Sequence, residues 1–264
     1  MKIYCQNIWN NNPCAARNRI VRKLVGKFDA DVCFFQECGP ETNRIGDGEA
    51  PIADLMNDCY KEAHSEVSDR NFTPVFYKKD KYNLLDSGYF LYDGLNDVNS
   101  KSVTWTILEE KETGIRFVAA STHFWWMAEL EKDNLQRLEN VRQLKQFCDE
   151  MVLKTGLPII VGGDFNNGLG STQGDEPYYT MLKEGFCDIR HIAEETTDAK
   201  TCGNDYPKSL PDKTVIPRKP AEYIIDYIFT YNGENLKVKK FDVLTDDTAR
   251  KTSDHSPLLG VIEF

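Results

Sequence analysis

The chain has 264 residues, with 32 Lys and Arg against 42 Asp and Glu, and a formal net charge of −10. Aliphatic, aromatic and Cys residues make up 41% of it, which suffices for a sizeable core and excludes a disordered chain. No apolar run approaches the ~18–20 residues that a membrane span needs. The acidic balance argues against non-specific nucleic-acid binding, which is typical of basic domains. A phosphate-bearing substrate stays open, because a divalent cation among carboxylates supplies positive charge.

The N-terminal segment MKIYCQNIWN has no basic region, long apolar run or cleavage-like site. We therefore expect a cytoplasmic protein, or a secreted one whose export signal lies outside this sequence. The eight Cys residues form no CxxC pair and show no Cys/His spacing typical of zinc. Reduced thiols are favoured over a disulfide framework, and Cys187–Cys202 is the disulfide to test first.

The hydrophobic pattern predicts strands and helices along the whole chain. Two amphipathic helices are predicted, at Ala15–Phe28 and at Leu130–Leu153, and Gly156-Leu157-Pro158 ends the second. Shorter helices are predicted at Pro51–Cys59 and Pro177–Glu184. The predicted strands are, in chain order, Lys2–Trp9, Asp31–Gln36, Thr73–Tyr77, Leu84–Leu91, Val103–Glu109, Ile115–His123, Pro158–Gly162, Tyr223–Tyr231, Leu236–Leu244 and Leu258–Phe264.

This order of elements indicates a mixed-sheet sandwich with helices outside. We predict one domain over residues 1–264. A split near Lys154–Pro158 is the alternative, and it is weaker because chemistry-bearing motifs occur on both sides of it. The segment Asn166–Ala221 is long, polar, locally basic and rich in Pro and Gly, and we expect it to border the cleft and influence substrate choice.

Short polar strings border the predicted strands. A buried strand holds its end residue rigidly, so loops at one sheet edge converge polar groups into a cleft. Clustered carboxylates are unfavourable unless a cation or a proton neutralises them, and carboxylate and amide oxygens suit Mg²⁺ or Mn²⁺. The strings are Gln6-Asn7, Gln36-Glu37, Thr122-His123, Gly163-Asp164-Phe165-Asn166, Ile225-Asp226-Tyr227-Ile228-Phe229 and Ser253-Asp254-His255-Ser256-Pro257.

In this order, the strings resemble the endonuclease/exonuclease/phosphatase superfamily of metal-dependent phosphoesterases, which includes deoxyribonuclease I-like and exonuclease III-like enzymes. The matched residues run from Asn7 to His255, nearly the whole chain. The resemblance implies a deoxyribonuclease I-like α/β fold, a four-layer sandwich of two mixed β-sheets flanked by helices. It also implies Mg²⁺-dependent cleavage of phosphodiesters or phosphomonoesters. His123 stands where abasic-site endonucleases carry Tyr, so a DNA-repair role is disfavoured.

The resemblance implies a metal site. By that likeness Glu37 binds the metal directly, with Asn7 and Asp254 close to it. Mg²⁺ is the expected ion, and Mn²⁺ is possible on the same oxygen ligands.

The resemblance also assigns catalytic roles. Asp164 orients or deprotonates the attacking water, and Asn166 holds that water or the phosphate. His255, paired with Asp226, donates to the phosphate, and His123 also faces it. In-line displacement at phosphorus requires an oriented water and charge stabilisation on the equatorial oxygens, which these residue types supply.

Two further residues are candidates for substrate binding. Trp125, preferred over Trp126, forms an aromatic wall that stacks on part of the substrate, or else packs in the core. Arg70 clamps the phosphate with its planar guanidinium, or else forms a surface ion pair.

These observations predict a metal-dependent phosphoester hydrolase, foremost a phosphodiesterase that acts by in-line attack of an activated water. A nuclease acting on nucleic acid ends and a catalytically silent binding or scaffold protein on the same fold are the alternatives. The expected substrate is a small molecule, a lipid headgroup or a nucleic acid end, and the expected state is a monomer.

Overall fold

The structure, a computed structural model, describes residues 1–9, 15–39, 51–64, 71–170 and 174–264. Among these residues, no helix combines the length and the apolar character needed to cross a membrane. The helices are α1 (Ala15–Phe28), α2 (Ile52–Met56), α3 (Glu131–Thr155), α4 (Glu176–Lys183) and α5 (Ile189–Ile192). The strands are β1 (Lys2–Asn7), β2 (Val32–Gln36), β3 (Tyr60–Glu62), β4 (Val75–Lys78), β5 (Tyr82–Leu91), β6 (Ser102–Glu110), β7 (Arg116–His123), β8 (Ile159–Asp164), β9 (Cys187–Asp188), β10 (Glu195–Thr196), β11 (Lys208–Ser209), β12 (Val215–Ile216), β13 (Asp226–Tyr231), β14 (Lys237–Val243) and β15 (Leu258–Glu263).

Two mixed sheets form the centre of the molecule. The seven-stranded sheet has the order β10-β14-β15-β1-β2-β4-β3, and the six-stranded sheet has the order β5-β6-β7-β8-β13-β9. In the first sheet β1 is parallel to β2 and antiparallel to β15. In the second, β8 is parallel to β7 and antiparallel to β13. The carboxyl ends of β7 and β8 therefore meet the beginning of β13 at one edge.

Three buried clusters separate the layers. Phe34 of β2 and Ile160 of β8 belong to the cluster between the two sheets. Leu144 of α3 belongs to a cluster on the outer face of the six-stranded sheet, and Val21 and Val25 of α1 to one on the outer face of the seven-stranded sheet. The layers run helices, sheet, sheet, helices, which confirms the predicted four-layer α/β sandwich.

The two sheets approach each other closely where β8 carries Gly162. A Cβ added at Gly162 would lie 2.4 Å from Cδ2 of Phe34 and 3.2 Å from Sγ of Cys5. Phe34 and Cys5 are both fully buried, so neither can move aside into solvent. Glycine at this position therefore sets the distance between the sheets just before Asp164.

We expect Gly162→Ala to lower the free energy of unfolding by about 1–3 kcal/mol, because the added methyl group overpacks the core. Urea denaturation monitored by circular dichroism measures this change. Gly26→Ala in α1 is the matched control, since Gly26 is exposed and the nearest atom to its added Cβ is Nη1 at the end of the Arg22 side chain, at 3.0 Å. That change in a helix interior should raise stability by roughly 0.5–1 kcal/mol. Two variants of equal stability would contradict the argument.

The structure differs from the predicted strands in the segment after β8. Short strands β9 to β12 form there, where a long irregular stretch with one helix was predicted. Strand β13 begins at Asp226 and not at the predicted Tyr223, because Tyr223 forms an isolated bridge with Cys202. The Thr201 hydroxyl also accepts the backbone N–H groups of Ile225 and Asp226, at 3.1 and 3.2 Å.

Cys187 and Cys202 are both free thiols in the structure, so the disulfide considered for them is not formed. Cys187 is partly exposed on β9, whereas Cys202 is buried and its backbone forms an isolated β-bridge with that of His255.

Candidate active site

Asn7 links acidic side chains from the two sheets. Strands β1 and β2 are parallel with Asn7 beside Gln36, so Asn7 and the following Glu37 emerge at one edge. Asn7 Nδ2 donates to Glu37 Oε1 at 3.1 Å and to Asp164 Oδ2 at 2.9 Å. Glu37 has a φ of 51°, a left-handed conformation that is uncommon outside glycine and concentrated at functional positions.

The six-stranded sheet places three more predicted residues side by side. In the strand register, Asp164 pairs with His123 of β7 and with Asp226 of β13. Asp164 Oδ2 lies 3.4 Å from His123 Nε2. Burial acts to raise the pKa of Asp164, but His255 and His123 outweigh it and hold that pKa well below its usual range. Asp164 is therefore a buried, ionised carboxylate at the centre of the cluster.

Asn166 closes the turn that follows β8. Its backbone N–H donates to Asp164 Oδ1 at 2.9 Å, and its φ is 50°. Its Nδ2 donates to the carbonyl oxygen of Phe124 at 3.0 Å and lies 3.0 Å from His123 Nε2. The turn thus holds Asn166 and His123 against each other.

Asp226 orients the imidazole of His255. Both carboxylate oxygens of Asp226 lie 2.9 Å from His255 Nδ1, and both side chains are buried. Nδ1–H donates to this carboxylate, which leaves Nε2 facing Asp164 Oδ2 at 3.7 Å. Burial alone would lower the pKa of His255, but Asp226 and the neighbouring acidic groups raise it well above its ordinary value. The pair can therefore present a protonated imidazole to a ligand.

The loop that carries Asp254 is held by a buried arginine. Asp254 Oδ1 accepts the Ser253 hydroxyl at 2.9 Å, and burial and the charge of Glu37 raise the pKa of Asp254. Arg218 donates to the carbonyl oxygen of Ser253 at 2.9 Å and to Ser256 Oγ at 2.7 Å, on either side of Asp254. Sequence reasoning recognised Arg218 only as part of a basic segment, because its partners are distant in the chain.

Several of these side chains line a cavity of about 360 Å³. Glu37, Asp164 and Asp254 supply its acidic wall, and Cys202 lies beside them. The size is typical of a small-molecule site. The aromatic side chains that line the cavity are Trp9, Phe72, Trp126, Tyr206 and Tyr223.

Lys101 supplies a buried positive charge that sequence reasoning missed. It is 3% exposed and lines the cavity. Its Nζ lies 3.4 Å from both ring nitrogens of His123 and 3.5 Å from Asp97 Oδ1. No motif in the sequence marks Lys101, which directly precedes β6. Its ammonium group lies where it would attract a phosphate oxygen.

The structure corrects the choice between the adjacent tryptophans. Trp125 is 7% exposed, and its indole N–H donates to Asp133 Oδ1 at 2.9 Å, so it packs in the core and does not line the cavity. Trp126 is 45% exposed and lines the cavity, and its indole N–H donates to Asp97 Oδ2 at 2.9 Å. Trp125 was the wrong choice, because Asp133 at the start of α3 holds its indole inside.

The structure brings most of the predicted site residues together. Arg70, the other candidate for substrate binding, lies outside the described residues. The predicted residues that line the cavity are Glu37, Asp164, Asn166, Asp254 and His255. Asn7, His123 and Asp226 are buried behind them and contact Asp164 or His255 without lining the cavity.

Comparison with known sequences agrees with this geometry. The profile of the Endonuclease/Exonuclease/phosphatase family matches residues 5–255. No curated protein sequence matches the chain.

Solved structures share the fold at low sequence identity. The mannosyl-6-phosphatase of Bacteroides thetaiotaomicron is 20% identical, with 100% of each chain covered and a TM-score of 0.72. TDP2 of D. rerio, solved with a single-strand DNA product, is 17% identical over 100% of this chain and 99% of that one, with a TM-score of 0.68. The human Nocturnin catalytic domain with bound sulfate is 17% identical over 100% and 94%, with a TM-score of 0.66. At these identities the likeness establishes the fold and leaves the substrate to be argued from the site.

Proposed function

This chain belongs to the Endonuclease/Exonuclease/phosphatase family, whose members hydrolyse phosphoesters, and we propose that it is a Mg²⁺-dependent phosphodiesterase acting on a small molecule. The reaction we propose is in-line attack of an activated water on phosphorus. The alternatives weighed from the sequence, a nuclease acting on nucleic acid ends and a catalytically silent binding protein, are outcomes of the test below.

The contacts of Asp164 carry this proposal. Its two carboxylate oxygens receive N–H groups from Asn7 and from the backbone of Asn166, at 2.9 Å each. Nε2 of His123 and Nε2 of His255 face the same Oδ2, at 3.4 and 3.7 Å. A buried carboxylate ringed by donors and imidazoles at the wall of a cavity can orient a water and stabilise a phosphate beside it.

The donor set fits a hard divalent cation. Glu37 and Asp254 are carboxylates that line one cavity, and Asn7 holds Glu37 through its Nδ2, while its Oδ1 accepts the backbone N–H of Trp9. Carboxylate and amide oxygens are the ligands that Mg²⁺ prefers, and Mn²⁺ takes the same set. We propose that Glu37 holds the ion directly, with Asn7 and Asp254 close by. When bound, Mg²⁺ would supply positive charge to the phosphate oxygens.

The other catalytic roles belong to protein side chains. Asp164 accepts a hydrogen bond from the attacking water and aligns it with the phosphorus. His255, held through Nδ1 by Asp226, donates from Nε2 to a phosphate oxygen or to the leaving group. Asn166 lines the cavity and contacts the same phosphate, and His123 lies behind it and positions Asn166 and Asp164.

The shape and charge of the cavity favour a small substrate. Its volume of about 360 Å³ matches a nucleotide or sugar derivative, and the chain as a whole carries a net charge of −10. A long duplex would be repelled by that charge. The rings of Trp9 and Tyr206 stack at the cavity wall with their centroids 4.9 Å apart, and Trp126 is exposed there. A planar or apolar group beside the phosphate would pack against these rings.

Activity assays test the proposal. We expect Mg²⁺-dependent hydrolysis of bis-p-nitrophenyl phosphate that exceeds hydrolysis of p-nitrophenyl phosphate, and turnover of some nucleotide or sugar phosphoesters. Plasmid DNA and sphingomyelin serve as comparison substrates. A faster monoester reaction would identify a phosphatase, and preferential nicking or end trimming a nuclease. A folded protein without turnover on the whole panel would identify a silent binding protein.

We expect Lys101→Met to lower kcat/KM by about 10- to 100-fold, mainly through a higher KM, because a charged hydrogen bond contributes roughly 1.5–3 kcal/mol. Steady-state kinetics on the best substrate of the panel measures this change. Lys132→Met on the exposed face of α3 is the matched control and should match the wild type. If Lys101→Met keeps the wild-type KM and kcat, Lys101 does not contact the phosphate.

A further inference from the structure

Cys202 lies against the imidazole of His255, which Asp226 orients, yet the proposed mechanism does not use Cys202. Its side chain is buried and lines the cavity, and its Sγ is 3.5 Å from His255 Nε2. Isolated bridges join the backbone of Cys202 to Tyr223 and to His255. The backbone therefore fixes the thiol in front of the imidazole.

Sulfur, nitrogen and oxygen donors meet at this point. Cys202, Asp254 and His255 each offer one ligand atom, and these atoms all lie within 4.8 Å of one another. His255 Nε2 is 4.0 Å from Asp254 Oδ2. Tetrahedral zinc, with Zn–S of about 2.3 Å and Zn–N of about 2.0–2.1 Å, would hold its sulfur and nitrogen ligands about 3.6 Å apart. The observed sulfur–nitrogen separation of 3.5 Å matches that value.

The imidazole is already oriented as a metal-bound histidine would be. Asp226 accepts Nδ1–H of His255, so Nε2 is the nitrogen that becomes a ligand once its own proton has left. A carboxylate on the far nitrogen is the usual outer partner of a zinc-bound histidine. A thiolate selects Zn²⁺ over Mg²⁺, because Mg²⁺ prefers oxygen ligands.

We propose that Cys202, Asp254 and His255 form a Zn²⁺ site that overlaps the active site, and that zinc bound there inhibits the enzyme. Binding exchanges the Cys202 S–H bond for a Zn–S bond and the His255 Nε2–H bond for a Zn–N bond, and both protons are released to solvent. It occupies His255 Nε2, which then has no proton to donate to the substrate. The binding half stands on these contacts alone, whereas the inhibition half rests on the proposed function.

Cobalt spectroscopy tests the binding half. Co²⁺ added to the wild-type protein under reducing conditions should give a thiolate-to-cobalt charge-transfer band in the near ultraviolet, and Zn²⁺ should abolish it. Cys202→Ser should lose the band. Cys59→Ser, which removes an exposed thiol, should keep it. A wild-type protein with no such band, or a Cys202→Ser protein that retains it, would overturn the proposal.

Zinc titration in saturating Mg²⁺ tests the inhibition half. Each variant is normalised to its own zinc-free rate. We expect the half-inhibitory Zn²⁺ concentration to rise at least about tenfold in Cys202→Ser, the lower end of what loss of even an outer partner costs a zinc site. Cys59→Ser should match the wild type, and Cys202→Ala replaces the serine variant if that one is unstable. Equal inhibition of wild type and the Cys202 variant would place inhibitory zinc elsewhere. A cobalt band in a protein without phosphoesterase activity would leave the metal site standing and refute the proposed function.

Discussion

Replacing Asp164 with Asn should lower kcat by about 100- to 10,000-fold, the range that a positioned acid–base group contributes. The new side chain has nearly the same shape but no charge. Its carbonyl oxygen would still accept the Asn166 N–H, so its NH₂ group would occupy the position of Oδ2. There it would face the Asn7 amide, itself a donor 2.9 Å from Oδ2, and the water would lose its charged acceptor.

Asp188→Asn is the matched control for this experiment. Asp188 is also buried, its Oδ1 accepts the N–H of Arg190 at 2.9 Å, and its Oδ2 accepts the Tyr178 hydroxyl at 3.1 Å. It does not line the cavity, so its replacement should reduce stability while kcat stays near the wild-type value. Steady-state kinetics with circular dichroism and urea denaturation separates the two effects. If Asp164→Asn keeps half of the wild-type kcat, Asp164 does not orient the water.

Replacing Glu37 with Gln should raise the Mg²⁺ concentration for half-maximal activity by at least about tenfold, because the ion would lose its direct carboxylate ligand. High Mg²⁺ should restore part of the rate. Isothermal titration of Mg²⁺ or Mn²⁺ in the absence of substrate gives a second readout that is independent of turnover.

Glu109→Gln controls for the loss of one negative charge. Glu109 lies on β6 and pairs with Arg116 at 2.6 Å, away from the cavity. Its replacement should leave the metal requirement unchanged. An unaltered Mg²⁺ dependence in Glu37→Gln would show that the ion binds through other residues.

Hydrophobic periodicity and residues that end helices predicted the long helices well. Helix α1 has the predicted bounds, Ala15–Phe28, and α3 covers Glu131–Thr155 where Leu130–Leu153 was predicted. Gly156 ends α3 in a left-handed conformation with a φ of 69°, as a glycine after a helix does. Strands of two or three residues, such as β3 and β9, are too short for periodicity to reveal, because their partners lie far along the chain.

Sequence motifs predicted the residues at the centre of the site, but not the two buried basic residues beside it. Residues at strand ends, such as Asp164 and His123, were predictable because a rigid strand delivers them to one edge. Lys101 and Arg218 were not, since their roles depend on tertiary contacts with no local signature. Trp125 was preferred over Trp126 from the sequence, and the bond of its indole to Asp133 of α3 reverses that choice. The roles given to the site residues, and the single domain over 1–264, stay predictions.

The seven-stranded sheet joins distant parts of the chain, because β1 lies between β2 and β15. Asp254 and His255 directly precede β15, so they reach Asp164 only once that strand has docked beside β1. Asp226 belongs to the six-stranded sheet and His255 precedes a strand of the seven-stranded sheet, so the hydrogen bond between them joins the two sheets. The imidazole therefore keeps its orientation only while the two sheets stay packed against each other.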